Sequence, residues 1–225
     1  MAAVTGSDAR HETVHHPVFA RLYLRTLKRR AGGAEDDYRR ELLAGLTGQV
    51  IEVGAGSGVN FSLYPDTVDH VLAVEPEPLL RAEATRSAAR AAVPVTVVDG
   101  VAGQLPAGEQ SQDAAVASLV LCSVPDPRRA LAELARVLRL HGELRFYEHV
   151  IGANPAVASA QRVADRLFWP RVAGGCHLSR DTSVELERAG FALERCRRFT
   201  FSPGAPVPPI PHILGVAVRQ GECER

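Results

Sequence analysis

No stretch of 18 consecutive apolar residues occurs in this sequence, so it offers no candidate for a membrane-spanning helix. The first 16 residues, MAAVTGSDARHETVHH, also lack the apolar core that a signal peptide needs. These absences predict a soluble, cytoplasmic protein that is at most peripheral at a membrane.

An excess of charge of either sign is also missing, because 26 Lys and Arg residues balance 26 Asp and Glu residues. A chain without a net positive field has little to attract a polyanion, and we expect no nucleic-acid partner. The four cysteines, Cys122, Cys176, Cys196 and Cys223, include no CxxC pair. Their wide spacing argues against a zinc site or a disulfide framework and fits a reducing compartment, so we expect no metal.

The length of 225 residues accommodates one well-buried core, and we interpret the chain as one domain with appendages. Apolar residues at helical spacing begin at Pro17, in PVFARLYLRTLKRR, and predict a basic amphipathic helix. This helix either packs on the domain or acts as a lid or a membrane-surface anchor. The predicted divisions are a disordered tail over 1–16, the domain over 17–220 with cap helices at 17–47 and an acceptor-side insert at 151–180, and a second tail over 221–225.

Short apolar runs alternate with helical patterns along the rest of the domain. QVIEV, HVLAVE and VPVTVV are the first three of seven such runs. This alternation is typical of βαβ units and predicts an α/β fold, a Rossmann-like, mostly parallel seven-stranded sheet with helices on both faces. The last two strands, near 192–200 and 212–219, are joined only by a Pro-rich loop and should therefore pair antiparallel.

A glycine-rich turn follows the first predicted strand, in VIEVGAGSGVNF. Gly54, Gly56 and Gly58 let a ligand approach the backbone, and a helix is predicted to begin near Val59 with its amides toward that ligand. The spacing GxGxG differs from the GxGxxG of dinucleotide-binding folds. Glu52, two residues before the first glycine, suits a positively charged ligand better than a pyrophosphate, which favours S-adenosylmethionine.

A second acid, Glu75, ends the second predicted strand in LAVEPEPLL. A carboxylate at this strand end can accept hydrogen bonds from both hydroxyls of a ribose, and Pro76 can pack against an adenine edge. Together with Glu52 and the three glycines, this pattern predicts a site for S-adenosylmethionine, which becomes S-adenosylhomocysteine after methyl transfer.

These motifs resemble those of the class I S-adenosylmethionine-dependent methyltransferases over roughly residues 35–220. The resemblance implies the strand order 3-2-1-4-5-7-6 with strand 7 antiparallel. The chain departs from the family where GDAEALP is common, because DGVAGQLP places Val101 at the acidic position. The motifs and the resemblance together place the cofactor against Glu52, Gly54, Ala55, Gly56, Gly58, Asn60, Glu75, Pro76, Val101, Ala102, Leu119 and Cys122.

Five stretches, EVGAGSGVNFSLYP, SLVLCSVPDP, FYEHV, GGCHLSRD and PHILGVAVR, are similar to the methyltransferase-like alkyl thiol methyltransferase group. This narrower resemblance implies in-line transfer of a methyl group to a small lipophilic acceptor, with thiol sulfur favoured. A thiol is partly ionised at neutral pH and needs no strong base. O- or C-methylation of a phenol or a quinone-type metabolite is the alternative acceptor chemistry. The sequence leaves open whether the enzyme is a monomer or a homodimer.

The acceptor is expected beyond the carboxyl ends of the fourth and fifth strands. His149 is a candidate general base there, with a structural histidine as an equal alternative, and His177 has the same two interpretations. Cys122 fits a small buried residue better than a nucleophile. Phe168 and Trp169 either belong to the core or wall an apolar acceptor pocket.

Two other functions are compatible with parts of the sequence. A nicotinamide-dependent oxidoreductase would use a similar turn, but the GxGxG spacing and Glu52 disfavour it. A cofactor-binding fold without catalysis could instead serve as an interaction module, through the helix from Pro17 and the Pro-rich loop at 203–211.

Overall fold

The computed structural model describes residues 15–27, 33–202 and 208–221. The tails predicted at the two ends of the chain lie almost entirely outside these residues, and so does the middle of the Pro-rich loop. The strands are β1 (Gly48–Val53), β2 (Val68–Val74), β3 (Val95–Val98), β4 (Gln112–Ser118), β5 (Leu138–His149), β6 (Phe191–Phe201) and β7 (Ile210–Arg219). The helices are α1 (Pro17–Leu27), α2 (Ala34–Leu43), α3 (Pro78–Ala88), α4 (Pro127–Val137), α5 (Pro155–Leu167), α6 (Trp169–Val172) and α7 (Thr182–Arg188).

All seven strands form one sheet in the order β3-β2-β1-β4-β5-β7-β6. Strands β1 to β5 pair in parallel, whereas β7 runs antiparallel to both β5 and β6. The predicted Rossmann-like fold, the strand order and the antiparallel seventh strand are confirmed. Strand order reverses between β1 and β4, which is the switch point where ligands of such sheets bind.

Both faces of the sheet are buried. The side chains of β1, which alternate between the two faces, show what each face packs against. Ile51 and Val53 belong to the core on one face, together with the apolar side of α4. Val50 faces the opposite core, against Leu42 and Leu43 of α2. Because successive side chains of a strand point to opposite faces, a strand covered on both sides reads as a continuous apolar run.

Three helices begin with a side-chain cap followed by proline. Asp126 accepts two backbone amides of the first turn of α4, and Pro127 occupies the next position. Glu77 and Asn154 cap α3 and α5 in the same way. The cap satisfies amides that lack partners within the helix, and proline loses nothing there because its missing N–H would be unpaired.

The prediction that a helix begins near Val59 is wrong. A single 3₁₀ turn over Phe61–Leu63 follows the glycine loop instead. Pro65 explains the early stop, because proline disfavours helical geometry in the residue before it. Tyr64 accordingly has an extended backbone, with φ −63° and ψ 134°.

Helix α1 packs on the domain. Ala20 is fully buried, and the ring of Phe19 fills the space beside Gly174, where a Cβ atom would collide with it. Val18 and Leu22 remain exposed on the outer side. None of the helices within residues 15–27, 33–202 and 208–221 combines the length and the apolar character needed to cross a membrane.

Candidate active site

A cavity of about 320 Å³ lies at the carboxyl ends of β1, β2, β4 and β5. One end is formed by the glycine loop and Glu75, and the other by Cys122, His149 and Trp169. Of the twelve residues predicted to contact the cofactor, eleven line this cavity: Glu52, Gly54, Ala55, Gly56, Asn60, Glu75, Pro76, Val101, Ala102, Leu119 and Cys122. The twelfth, Gly58, does not.

The glycine loop requires glycine for different reasons at different positions. Gly54 has φ +64°, and a Cβ atom there would overlap the side chain of Val120. Gly56 has φ +59°, and the nearest atoms to a Cβ there belong to Tyr23, at 3.9 Å or more. Gly54 therefore allows two loops to pack, whereas Gly56 leaves open space on the cavity side. Gly58 is needed for packing, since a Cβ atom would collide with Phe61.

Glu75 follows β2 directly, and its side chain is 5% exposed. Its carboxylate accepts a hydrogen bond of 2.7 Å from the Gly56 amide and one of 2.9 Å from the Glu77 amide. Burial raises the pKa of Glu75 to about 7, although these two amides act in the opposite direction. The carboxylate thus joins the glycine loop to the end of β2.

Glu52 is buried in β1 and held by two side chains. Asn60 Nδ2 and Tyr64 Oη each donate a hydrogen bond of 2.8 Å to its carboxylate. Burial raises the pKa of Glu52 to about 7, against the lowering effect of these bonds and of Arg39. Asn60 therefore orients an acidic residue as well as lining the cavity.

Arg39 of α2 is a site residue without a signal in the sequence. It is 5% exposed, and its guanidinium donates to Asn60 Oδ1 and to Ser118 Oγ, each at 3.1 Å. A third bond of 2.6 Å joins it to Glu35, one turn earlier on the same helix. Arg39 thus links α2 to the glycine loop and to the end of β4.

The two buried carboxylates fit S-adenosylmethionine. Their raised pKa values show that the protein itself supplies too little positive charge or hydrogen bonding to offset their burial. S-adenosylmethionine would bring a cationic amino group, a sulfonium and two ribose hydroxyl donors. Glu52 and Glu75 are the residues that would hold these groups, and Gly56 leaves room for the nucleoside.

The opposite end of the cavity contains three residues that we call the thiol–imidazole triangle: Cys122, His149 and Cys176. The two Sγ atoms are 3.7 Å apart. His149 Nδ1 lies 3.6 Å from Cys122 Sγ and 3.3 Å from Cys176 Sγ. The triangle brings together the loop after β4, the end of β5 and the segment after α6.

The environment of the triangle shifts the pKa values of its members. The hydrogen-bonding contact with Cys122 lowers the pKa of the Cys176 thiol; burial opposes this, and His149 reinforces it. Burial tends to lower the pKa of His149, but the contact with Cys176 outweighs it and raises the pKa overall. Cys176 and His149 therefore stabilise each other's charged forms.

The two histidines predicted as candidate bases differ in their position relative to the cavity. His149 lines the cavity, whereas His177 does not. The side chain of His177 is 40% exposed, and its Nδ1 lies 3.9 Å from Asp165. Its backbone amide donates to the Cys122 carbonyl at 2.8 Å, which is a structural link. Of these two histidines, His149 is the one that can reach an acceptor.

The two aromatic residues of the insert, Phe168 and Trp169, also differ in their position relative to the cavity. Trp169 lines the cavity, as one of the two alternatives predicts, while Phe168 is 49% exposed and belongs to neither alternative. Phe19 and Tyr23 of α1 line the cavity too. Their helical spacing predicts an apolar stripe, but it contains no information on what the stripe would cover. Cys176 lies in the quoted stretch GGCHLSRD, yet its role depends on residues distant in sequence.

Comparison with known proteins agrees with this site. The family described as "Methyltransferase domain" matches residues 51–146. Thiol S-methyltransferase TMT1B of Mus musculus is 35% identical over 182 residues, covering 79% of this chain and 74% of that protein. Thiol S-methyltransferase TMT1A of Homo sapiens is 33% identical over 182 residues, covering 78% and 73%.

Solved structures show the same fold. A SAM-dependent methyltransferase from Thermotoga maritima superposes with a TM-score of 0.66 at 20% identity, covering 90% of this chain and 97% of that one. The strand order and the glycine loop between two buried acids support the same family as the sequence identity to these relatives does. The chain therefore belongs to the class I S-adenosylmethionine-dependent methyltransferases, and S-adenosylmethionine is its cofactor.

Proposed function

We propose that this enzyme methylates the sulfur of small lipophilic thiols. The observation that carries the proposal is the make-up of the acceptor end of the cavity, where Trp169 and Ala173 present apolar surface beside Cys122, Cys176 and His149. Apolar surface favours a lipophilic acceptor over a strongly hydrated one. The two relatives named as thiol S-methyltransferases support the same acceptor class.

The residues of this chain bind, orient and shield the reactants. S-adenosylmethionine supplies an electrophilic methyl group. Glu52 and Glu75 hold the cofactor at one end, and His149 lies beside the acceptor at the other. Phe19 and Tyr23 of α1 line the cavity with aromatic surface, which limits water there and favours a reaction in which an anionic sulfur and a sulfonium lose their charges together.

A panel of acceptors tests the proposal. The enzyme is incubated with methyl-labelled S-adenosylmethionine and with alkyl thiols, phenols and quinols of matched lipophilicity, and products are scored by mass. We expect methylated thiols. Methylation of the phenols or quinols with untouched thiols would overturn the thiol proposal and leave the methyltransferase assignment intact.

A matched pair of glycine variants ties turnover to the cavity. Gly56→Val should abolish cofactor binding in isothermal titration, because its side chain enters the cavity. Gly45→Val is the control: Gly45 also has a positive φ, at +76°, but nothing lies within 4 Å of a Cβ atom there. Both variants introduce backbone strain, so a difference in cofactor affinity isolates the filling of the cavity.

We also propose that the enzyme works in the cytoplasm, peripherally at anionic membrane surfaces. Helices α1 and α6 contribute residues to the cavity wall, and these two helices and the end of α5 carry exposed apolar side chains. We call these the apolar rim: Val18, Leu22, Leu167, Phe168 and Val172. The exposed basic residues on the same elements are Arg21, Arg25, Arg166 and Arg171. Apolar and basic residues together favour an anionic lipid interface, from which a lipophilic thiol could enter.

Vesicle co-sedimentation tests this proposal. Vesicles with anionic lipid should retain the enzyme better than zwitterionic ones, and Val18→Asp combined with Leu167→Asp should reduce the retained fraction. Leu140→Asp is the control, since Leu140 is also exposed but lies at the start of β5, at the end of the strands opposite the cavity. Equal retention of the rim variant and the control would contradict the proposal.

A further inference from the structure

Three ligand atoms of the kind that bind thiophilic metals converge in the thiol–imidazole triangle. The three residues are Cys122, His149 and Cys176. Each lies 27 positions after the one before it in the sequence. The absence of a CxxC pair predicts no metal, but that criterion detects only ligands that are close in sequence. Folding brings these three together within one cavity wall.

The edges of the triangle match those that a tetrahedral zinc ion imposes. With Zn–S bonds of about 2.3 Å and a Zn–N bond of about 2.1 Å, tetrahedral angles place the two sulfurs about 3.8 Å apart and sulfur and nitrogen about 3.6 Å apart. The observed edges are 3.7, 3.6 and 3.3 Å. The largest difference, about 0.3 Å, is at the edge between His149 Nδ1 and Cys176 Sγ.

Two other interpretations fit the triangle less well. A disulfide requires the two sulfur atoms at about 2.0 Å, far closer than they lie here. A chain of hydrogen bonds among two thiols and an imidazole requires only two short edges, whereas all three edges of this triangle are short. Three-way convergence is the arrangement that a shared ion requires.

The surroundings of the triangle suit a preformed metal site. Leu178, Ile210 and Trp169 pack against the two cysteines and limit access of water. The Cys122 carbonyl accepts the amide of His177 at 2.8 Å, which fastens the segment carrying Cys176 to the loop carrying Cys122. Ligands held in this way lose little conformational entropy when an ion binds.

We propose that Cys122, His149 and Cys176 bind a zinc ion whose fourth position faces the cavity and takes the thiol substrate. Three protein ligands with one open position are typical of catalytic zinc sites, including those built from two cysteines and one histidine. The proposal rests on the function proposed above, because it gives the thiol acceptor its binding partner. In this arrangement the ion, rather than His149, activates the sulfur.

Methyl transfer at this site would take place in two steps. The substrate thiol displaces water from the ion and releases its proton to solvent, leaving a zinc-bound thiolate. A new carbon–sulfur bond then forms as the bond between the methyl group and the donor sulfonium breaks. The electron pair of the broken bond stays on the donor sulfur, and the neutral thioether leaves the ion.

Cobalt(II) spectroscopy tests the site independently of turnover. The reduced full-length enzyme, freed of metal, is titrated with Co²⁺, and zinc is then added as a competitor. We expect one equivalent to give the visible bands of tetrahedral coordination and a thiolate-to-cobalt charge-transfer band, both lost on zinc addition. Cys176→Ser should weaken binding at least about a hundredfold, more than loss of an outer-shell partner costs. Cys196→Ser, at an exposed cysteine of β6, should bind like the wild type.

Other results would overturn the proposal. These are an absence of cobalt binding, an octahedral spectrum without a charge-transfer band, or binding that Cys176→Ser leaves unchanged. His149→Ala provides a second variant if Cys176→Ser fails to fold. Thiol methylation by metal-free enzyme at the full rate would contradict the proposed metal site but would leave the proposed function intact. Cobalt bound by the triangle without any thiol turnover would instead count against the proposed function.

Discussion

The carboxylate of Glu148 accepts a hydrogen bond of 3.0 Å from the backbone amide of Cys122. Its other oxygen accepts the amides of Val120 and Leu121, at 3.0 and 2.9 Å. One fully buried side chain of β5 therefore satisfies three consecutive amides of the loop after β4. This loop lines the cavity between its cofactor and acceptor ends, so Glu148 is a positioning residue for both.

Glu148→Gln should destabilise the protein and impair turnover. The new amide group presents N–H donors to backbone donors, so at least one buried hydrogen bond is lost, at a cost of about 1–3 kcal/mol. Urea unfolding measures the loss. Glu194→Gln, at an exposed position of β6, is the control and should change the free energy of unfolding by no more than about 0.5 kcal/mol. Equal stability of the two variants would contradict the role assigned to Glu148.

The neighbouring arginines of α2 offer a second matched comparison. Arg39→Met removes a buried guanidinium that bonds Glu35, Asn60 and Ser118, and we expect a loss of about 2–4 kcal/mol in the free energy of unfolding. Arg40→Met removes an exposed ion pair with Asp37, and such pairs contribute at most about 1 kcal/mol. Thermal and urea unfolding of both variants measure the difference. A similar effect in the two would show that the Arg39 network is unimportant for stability.

Features that depend on local sequence could be predicted. Alternation of apolar runs and helical spacing determines the parallel sheet, and the Pro-rich loop excludes a crossover helix before β7. The glycine loop and Glu75 could be predicted because all their contacts lie at the ends of adjacent strands. The helix expected near Val59 is wrong because Pro65, four residues after Phe61, outweighs the apolar spacing.

Features that depend on tertiary contacts could not be predicted. The stretch DDYRRELL reads as a surface helix, and nothing in it distinguishes the buried Arg39 from the exposed Arg40. Cys122 and Cys176 lie 54 residues apart, yet their sulfur atoms meet. His149 and His177 are equivalent candidates in the sequence, and only the folded structure shows that His149 faces the cavity.

The acid at the end of β2 should contribute strongly to cofactor affinity. Glu75→Gln removes a charged acceptor, and hydrogen bonds to charged groups are worth about 1.5–3 kcal/mol, so affinity for S-adenosylmethionine should fall about 10- to 150-fold. The control is Asp99→Asn at the end of β3, whose exposed side chain pairs with Arg81 at 3.1 Å and does not line the cavity. Isothermal titration compares the two. Unchanged affinity in Glu75→Gln would remove this residue from the cofactor site.

Cofactor affinity should also depend on pH, through the two buried carboxyls. In the free enzyme the pKa values of Glu52 and Glu75 are both about 7, so below that pH each carboxyl is mostly protonated and cannot attract a cationic ligand. Binding then requires release of protons, and the dissociation constant should fall as pH rises toward about 7.5. Above about 7.7 an α-amino group begins to lose its proton, which limits the useful range. We expect at least about a tenfold gain in affinity per carboxyl between pH 5.5 and 7.5.

Glu52→Gln separates the two carboxyls. The variant keeps the shape of the side chain and can still bond Asn60 or Tyr64, but it no longer titrates. Its affinity for S-adenosylmethionine should be lower than that of the wild type near pH 7.5, and the slope of log Kd against pH should fall by up to about one unit, since one proton fewer is released. Because the ligand titrates identically in both experiments, the difference between the two slopes belongs to Glu52. Superimposable slopes would show that Glu52 is ionised throughout this range or does not face the cation.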